Sequence, residues 1–371
     1  MSADLSVLYH SINPEANRSS YEEFNTCDFV LSTSRNIVRN SIRIEGKLRV
    51  NVTGQQRAVY GDRISMNKRV GIHGLLESSR VEVNGSIIEN IKSDYARFVH
   101  MSQSATKSPD DYYHGSELCE LKAPTTDASI AYCCGEGDKT SAGQIFEDID
   151  FSFKPFICLN RASDDIQMSR LNNEIRLSFN LARKEQLLGG IGVVQGTNYS
   201  ISDLRVTFTS KPASPVPQIQ MRSVVDIKAV LNTTNANIQT RVPAPAVHAV
   251  SISFLKQSKE NDRNLDTLAL ERPPLIDAVE FLFNDAVNQL QQFEQKDYGE
   301  YLSNYLASLG SAGIHNANPN LVKGNAVFGL GLDFNQEVDL RNQKFGFQIR
   351  SGITTGTEYI AYLFFHSLIA L

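Results

Sequence analysis

Along Ser41–Val52, the apolar residues Ile42, Ile44, Leu48, Val50 and Val52 alternate with Arg43, Glu45, Lys47, Arg49 and Asn51. A period of two sends one set of side chains into a core and leaves the other in water, so the segment predicts a strand with one wet face and a fixed register. Gly46 falls on the apolar face, where a bulge or a close approach is expected. Arg80–Val83 and Ile87–Ile91 flank Asn84-Gly85, a dipeptide suited to the positive φ angles of a tight hairpin. Met101–Gln144 is polar and rich in Ser, Thr, Asp, Gly and Pro, and predicts a long excursion of loops. The β-pattern resumes at Phe151–Phe156, and continues through Ile175, Leu177, Phe179 and Leu181 and then Leu204, Val206 and Phe208.

A proline-rich joint follows, Lys211-Pro212-Ala213-Ser214-Pro215-Val216-Pro217, and beyond it the period restarts with Val225, Ile227, Ala229 and Leu231 and with Val250, Ile252 and Phe254. Between Ile276 and Leu309 the spacing changes. Val279, Phe283, Ala286, Leu290 and Phe293 recur at steps of four and three, followed by Tyr298, Tyr301, Leu302, Tyr305, Leu306 and Leu309, which predicts an amphipathic helix or two. Gly299 is a candidate break, and Gly310 with Gly313 the end. Strands return at Phe328–Phe334, Phe345–Ile349 and Tyr359–Leu371. The last run, Glu358–Leu371, is apolar almost throughout, but it is shorter than the ~20 residues a spanning helix needs and contains His366, so a strand buried on both faces is expected.

At 371 residues, with patterned stretches on either side of the joint, the chain is expected to hold two domains. The divisions are an arm at 1–20, a first domain at 21–210, the joint at 211–218, and a second domain at 219–371 with its helix near 276–309. Many short strands and few helices make the fold class mainly β: two consecutive antiparallel β-sandwiches, with a helical insertion in the second. No short-period repeat is present.

The net charge of −5 divides almost evenly between the halves, and the first twenty residues hold only Asp4, Glu15 and Arg18 as charges. That leaves no cationic arm to neutralise phosphates, and direct, sequence-specific nucleic-acid binding is not expected. Cys27, Cys119, Cys133, Cys134 and Cys158 include no CxxC pair and no histidine at partner spacing, so they are expected to be structural thiols. Met1–Ser20 lacks an apolar core of the signal-peptide kind. With a reducing compartment expected, the sequons at Asn17, Asn51, Asn84, Asn198 and Asn232 are expected to go unused.

The seven histidines are scattered, and no GxSxG elbow is present. Gly189-Gly190-Ile191-Gly192 and Gly329-Leu330-Gly331 lack the Lys-Ser/Thr of a phosphate loop and are expected in turns or strands. Asp164-Asp165 and Glu147-Asp148-Ile149-Asp150 lack the ligand spacing of a calcium loop and are expected in solvated loops. The tyrosines of Tyr298–Tyr305 fit a helix face packed on a sheet. No catalytic, cofactor or metal residue is assigned, and the chain is expected not to be an enzyme.

The layout resembles the double jelly-roll capsid proteins of tailless icosahedral double-stranded DNA viruses. The features that carry the resemblance are a short arm before Ser20-Tyr21-Glu22-Glu23-Phe24, a first strand at Asn40–Leu48, a first sandwich closing at Asp203–Phe208, the proline-rich joint, and a second sandwich with a helical insertion, ending on Lys344–Ile349 and Tyr359–Phe365. The resemblance implies two upright jelly rolls per chain, trimers of pseudo-hexagonal outline that tile an icosahedral shell, and a location in the virion after assembly in the host cell. Its implied partners are further copies of the chain, minor capsid or vertex proteins, and an internal membrane reached through Met1–Ser20. Two alternatives stand beside this one: a pentameric vertex or minor capsid protein, and a carbohydrate-binding or glycan-processing β-sandwich protein.

Overall fold

Alternation along the strands decides how each sheet is faced. The computed structural model describes residues 7–52, 63–67, 69–107, 133–137, 144–145, 148–191, 197–215, 218–260, 266–292, 298–324 and 326–370. It divides the chain into two compact units: Met1–Ala96 with Asp110–Met221 and Ala370–Leu371, and Arg97–Pro109 with Arg222–Ile369.

In the first unit, the strands that build the sandwich are β1 (Leu8–Ile12), β2 (Thr26–Ser32), β4 (Arg43–Val52), β6 (Leu76–Val83), β7 (Ser86–Ile91), β10 (Ile149–Phe153), β11 (Glu174–Leu181) and β13 (Thr197–Lys211). They form two antiparallel layers, β1-β13-β4-β10 and β7-β6-β11-β2. Lettered B to I in chain order, the layers read B-I-D-G and C-H-E-F, which is jelly-roll topology. On β4, Ile42 just before the strand and Ile44, Leu48 and Val50 within it are buried, as the alternation predicts. Gly46 leaves room for the Phe151 ring, since a Cβ there would sit 2.9 Å from Phe151 Cζ. Asn84 and Gly85 both take positive φ and close the hairpin between β6 and β7.

The first strand of this roll is β1, which pairs with β13 from Leu8↔Ser210 to Ile12↔Val206. Residues 8–12 are therefore not part of a free arm, and Asn40–Leu48 belongs to the third strand of the roll. The five-residue sequence LYHSI was too short and too weakly alternating to stand out. A short β3 (Asn36–Ile37) also pairs with β13.

Successive strands run in opposite directions, so the connections B–C, D–E, F–G and H–I leave from one end of the sandwich. The insertions there meet in a small four-stranded sheet, β12-β5-β8-β9. Strand β5 (Arg63–Met66) comes from D–E, β8 (Cys133–Gly137) and β9 (Gln144–Ile145) from F–G, and β12 (Leu188–Ile191) from H–I, after the short helix α2 (Lys184–Leu187). F–G also carries helix α1 (Tyr95–Thr106). The loops expected over 101–144 thus include the end of a helix and two strands; the intervening 108–132 and 138–143 lie outside the described residues.

The second unit repeats the topology with β14 (Gln220–Leu231), β15 (Asn235–Arg241), β16 (Val247–Lys256), β17 (Ala278–Phe283), β18 (Ala286–Gln292), β19 (Leu330–Val338), β20 (Lys344–Arg350) and β21 (Tyr359–Ala370). Its layers are β14-β21-β16-β19 and β15-β20-β17-β18, again B-I-D-G and C-H-E-F. The apolar run Tyr359–Ala370 is its last strand, buried along most of its length. Phe254, Phe281, Phe345, Phe347 and Phe365 fill the space between the layers, with ring centroids 5.1–6.4 Å apart in the pairs they make.

The helix expected over 276–309 is corrected in its first half. Residues 278–292 form the β17–β18 hairpin, and helix α3 spans only Tyr298–Ser311. Asn284 and Asp285, with φ of 48° and 67°, supply the turn. A pattern of steps of four and three shares positions 279 and 283 with a period of two, which is why the two readings coincided. Gly299 lies inside α3 and does not break it. Gly329 and Gly331 let α3 lie close against β19: a Cβ on the first would run into the Tyr305 ring, and on the second into Ser308. A short α4 (Pro319–Gly324) follows in the same connection.

Residues 97–109 join this second unit although they precede most of the first, a placement that no composition shift announces. Arg97, 2% exposed, donates to the carbonyls of Thr267 and Ala269 at 2.7 and 2.9 Å, and its guanidinium lies 3.9 Å from the Tyr362 ring centroid. His100 bonds the Leu268 carbonyl, and Phe98 packs on Phe364.

Candidate assembly surfaces

Among the described residues, no group of three or more His, Cys, Asp and Glu is placed to hold a metal. No helix among them is long and apolar enough to cross a membrane, a statement that does not bear on strands. Of the cysteines, Cys27 and Cys158 are buried and free. Burial pushes the Cys27 thiol up to about 12 and Cys158 well above its ordinary range, so neither is a nucleophile at neutral pH. Cys119 and the side chains of Cys133 and Cys134 lie outside the described residues.

Asp165 is buried rather than solvated. It accepts the Arg39 N–H at 2.7 Å and pairs with Lys211 at the start of the proline-rich joint. Burial opposes its charge, but the Lys211 and Arg39 bonds outweigh it and hold the carboxyl below its ordinary range. Glu89, fully buried on β7, was not singled out by any motif. Its Oε1 lies 2.5 Å from Arg161 Nη2, and its Oε2 accepts the Cys158 N–H at 2.7 Å. Burial raises its pKa even with Arg161 beside it. These contacts tie the G–H connection of the first roll to strand F.

The outward face of B-I-D-G in the first unit is a dense charged mosaic. Glu45 on β4 accepts from Arg205 Nε at 3.0 Å, Thr207 Oγ1 at 3.1 Å, and Ser152 Oγ and Tyr9 Oη at 3.3 Å. Burial works against its charge, and the bonds from Arg205, Thr207 and Ser152 more than offset this, leaving its pKa lowered. Lys47 pairs with Asp203 at 3.1 Å, and Arg49 grips Asp148 through two bonds. Glu45, Lys47, Ser152, Asp203 and Arg205, with Arg43 and Asp150, line a shallow cleft of about 610 Å³. Positive and negative groups alternate across it, so the face has little net charge to offer a polyanion.

The outward face of the other layer, C-H-E-F, in the second unit carries a smaller cleft lined by the amides Asn235, Asn237 and Gln348 together with Glu280 and Arg350. Among the described residues, the exposed large apolar side chains include the run Val7, Leu8 and Tyr9 and, singly, Phe24, Val230 and Leu275. Leu275 is 75% exposed and holds a φ of 47° beside Pro274, whose carbonyl accepts the Gly352 N–H. Among the described residues, both sandwiches carry polar sheet faces, and the first carries a built-up loop end.

Two eight-stranded jelly rolls in one chain define the fold class as a double jelly roll. No protein-family model matches the chain, and no curated protein matches it in sequence. Among solved structures, it is similar to the Faustovirus major capsid protein, with a TM-score of 0.61 at 9% identity over 98% of this chain and 90% of that one. It is likewise similar to a chain of the PBCV-1 virus capsid (TM-score 0.56, 11% identity, 98% and 94% covered) and to the mavirus major capsid protein (0.54, 11%, 98% and 90%). The fold is thus similar to that of double jelly-roll major capsid proteins along almost its entire length.

Proposed function

We propose that this chain is a structural virion protein, a major capsid protein that associates as trimers and then tiles an icosahedral shell. The observation that carries this is the pair of jelly rolls within one chain, matched over 98% of its length by capsid proteins. A self-assembling role also suits a surface built of internally neutralised polar faces. In this role the principal partners are further copies of the chain. Leu8–Ile12 are strand B, so these residues are not available as an arm for a neighbour or a membrane.

The test is the mass of the purified protein in solution, followed by electron microscopy of particles formed at high concentration. Three chain masses and a hexagonal outline support the proposal. Five chain masses would replace it with a pentameric vertex role. A monomer that stays monomeric and binds glycans would overturn it.

A further inference from the structure

Strand β1 sits at the edge of its layer, with β13 as its one hydrogen-bonded neighbour among the described strands. Val7, Leu8 and Tyr9 are 54%, 40% and 63% exposed, so little apolar burial holds the strand in place. It is also fastened by Tyr9, which donates to Glu45, and by His10. The imidazole stacks on the Phe208 ring, centroids 4.5 Å apart and 7° from parallel, with Nε2 2.7 Å from Ser210 Oγ. The same oxygen accepts Arg35 Nε–H at 3.2 Å. With Arg35 donating in, the hydroxyl proton is free to go to Nε2, which suits a neutral imidazole acting as acceptor.

Among the described residues, the other groups on the surrounding elements do not supply an anion for a protonated ring. On β13, Phe208 and Ser210 are uncharged, and Lys211 pairs with Asp165. On β3, Asn36 and Ile37 are neutral. On β2, Asp28 accepts the Ser178 hydroxyl and Cys27 is a buried thiol. On β1 itself, Tyr9 donates to Glu45. Arg35 is the charged group that bears on His10.

We propose that His10 is an acid-operated latch on β1: a proton on its imidazole reverses the Ser210 hydrogen bond, sets a second cation against Arg35 and loosens the strand from β13. Burial first, and Arg35 second, hold the His10 pKa below 6.5. A histidine whose folded pKa is lowered contributes its full stabilisation above the unfolded value and loses it as pH falls through the folded one, so the window lies below about 6.5. Stacking on Phe208 would favour a cation, which makes Arg35 and Ser210 the deciding partners. The latch is independent of the assembly proposed above.

Hydrogen exchange followed by mass spectrometry tests it. After correction for intrinsic pH dependence, exchange of residues 7–12 is expected to quicken below pH 6.5 by up to about tenfold per pH unit, the limit for one titrating group, while β11 stays protected. His10→Phe keeps the stack without the proton and is expected to abolish the quickening; Arg35→Gln is expected to shrink it. No quickening in the unaltered protein, or the same quickening in His10→Phe, overturns the latch. Should that variant not fold, an NMR titration of His10 in the unaltered protein decides: a pKa below 6.5 supports the latch and one at or above it refutes it.

Discussion

Removal of the Arg97 guanidinium should unlatch helix α1 from the second unit. Arg97 is 2% exposed and makes two hydrogen bonds to carbonyls, at 2.7 and 2.9 Å, besides lying over Tyr362. Hydrogen bonds from a charged donor are worth about 1.5–3 kcal/mol each, and a desolvated cation–π contact about 2 kcal/mol. Against these stands the several-kcal/mol cost of holding a guanidinium out of water, which the substitution relieves. The net expectation for Arg97→Ala is about 3 kcal/mol of destabilisation, with lost packing of the aliphatic stem included. Arg97→Met restores the stem but leaves the Thr267 and Ala269 carbonyls without this donor, at about 2 kcal/mol. Arg97→Lys keeps a charge but loses the fork and the planar stack, at about 1–2 kcal/mol. The chain has no tryptophan, so urea unfolding is best followed by circular dichroism and tyrosine fluorescence, with separate fits if two transitions appear. The expected order of loss is Ala, then Met, then Lys. An Arg97→Met protein as stable as the parent would refute the reasoning, because it would mean that relief of charge burial equals all that the guanidinium contributes.

Gly46→Ala should destabilise the first unit by about 1–2 kcal/mol: overpacking against Phe151 and the Ser202 carbonyl costs about 1–3 kcal/mol, and the lower chain entropy of alanine returns about 0.4–1 kcal/mol. Pairing it with Phe151→Leu should cost less than the sum of the two single changes, and strict additivity in thermal or urea unfolding would rule out the contact as the cause. Asp165, with its lowered pKa, stabilises fully above the ordinary carboxyl value of 3.8 and loses this as pH falls through the folded value. Asp165→Asn should therefore cost about 1–2 kcal/mol at pH 7 through the Lys211 and Arg39 contacts and flatten the acid limb of the stability profile; an unchanged acid limb would count against it.

Legibility in the sequence followed burial geometry. Strands such as β4 and β11 could be read directly because one face is buried and the other wet, and Asn84-Gly85 announced its turn. The helix α1 could not be read, because Arg97, His100 and Gln103 are buried polar residues on a helix whose polarity resembles a loop. The β17–β18 hairpin was hidden by a spacing common to two periods. Glu89 carried no motif, and its importance lies in Arg161, distant in sequence. The likeness to capsid proteins could be seen in the layout of strands and joint, while the assignment of β1 as strand B needed its pairing with β13. The faces and loop ends offered as assembly surfaces are products of tertiary pairing and have no linear signature.

The placement of residues 97–109 in the second unit has a consequence for synthesis. As the chain leaves the ribosome, the latter part of α1 emerges well ahead of the segments it packs on, Thr267–Ala269 and β21, and domains that fold as units fold from the N-terminal side. The first roll must then close its own strands with an unsatisfied helix threaded out of its F–G connection, held in reserve until the second roll exists to receive it. A cut after Met221 would accordingly yield no pair of independent halves: one fragment would carry a helix without a home, and the other a home without its helix.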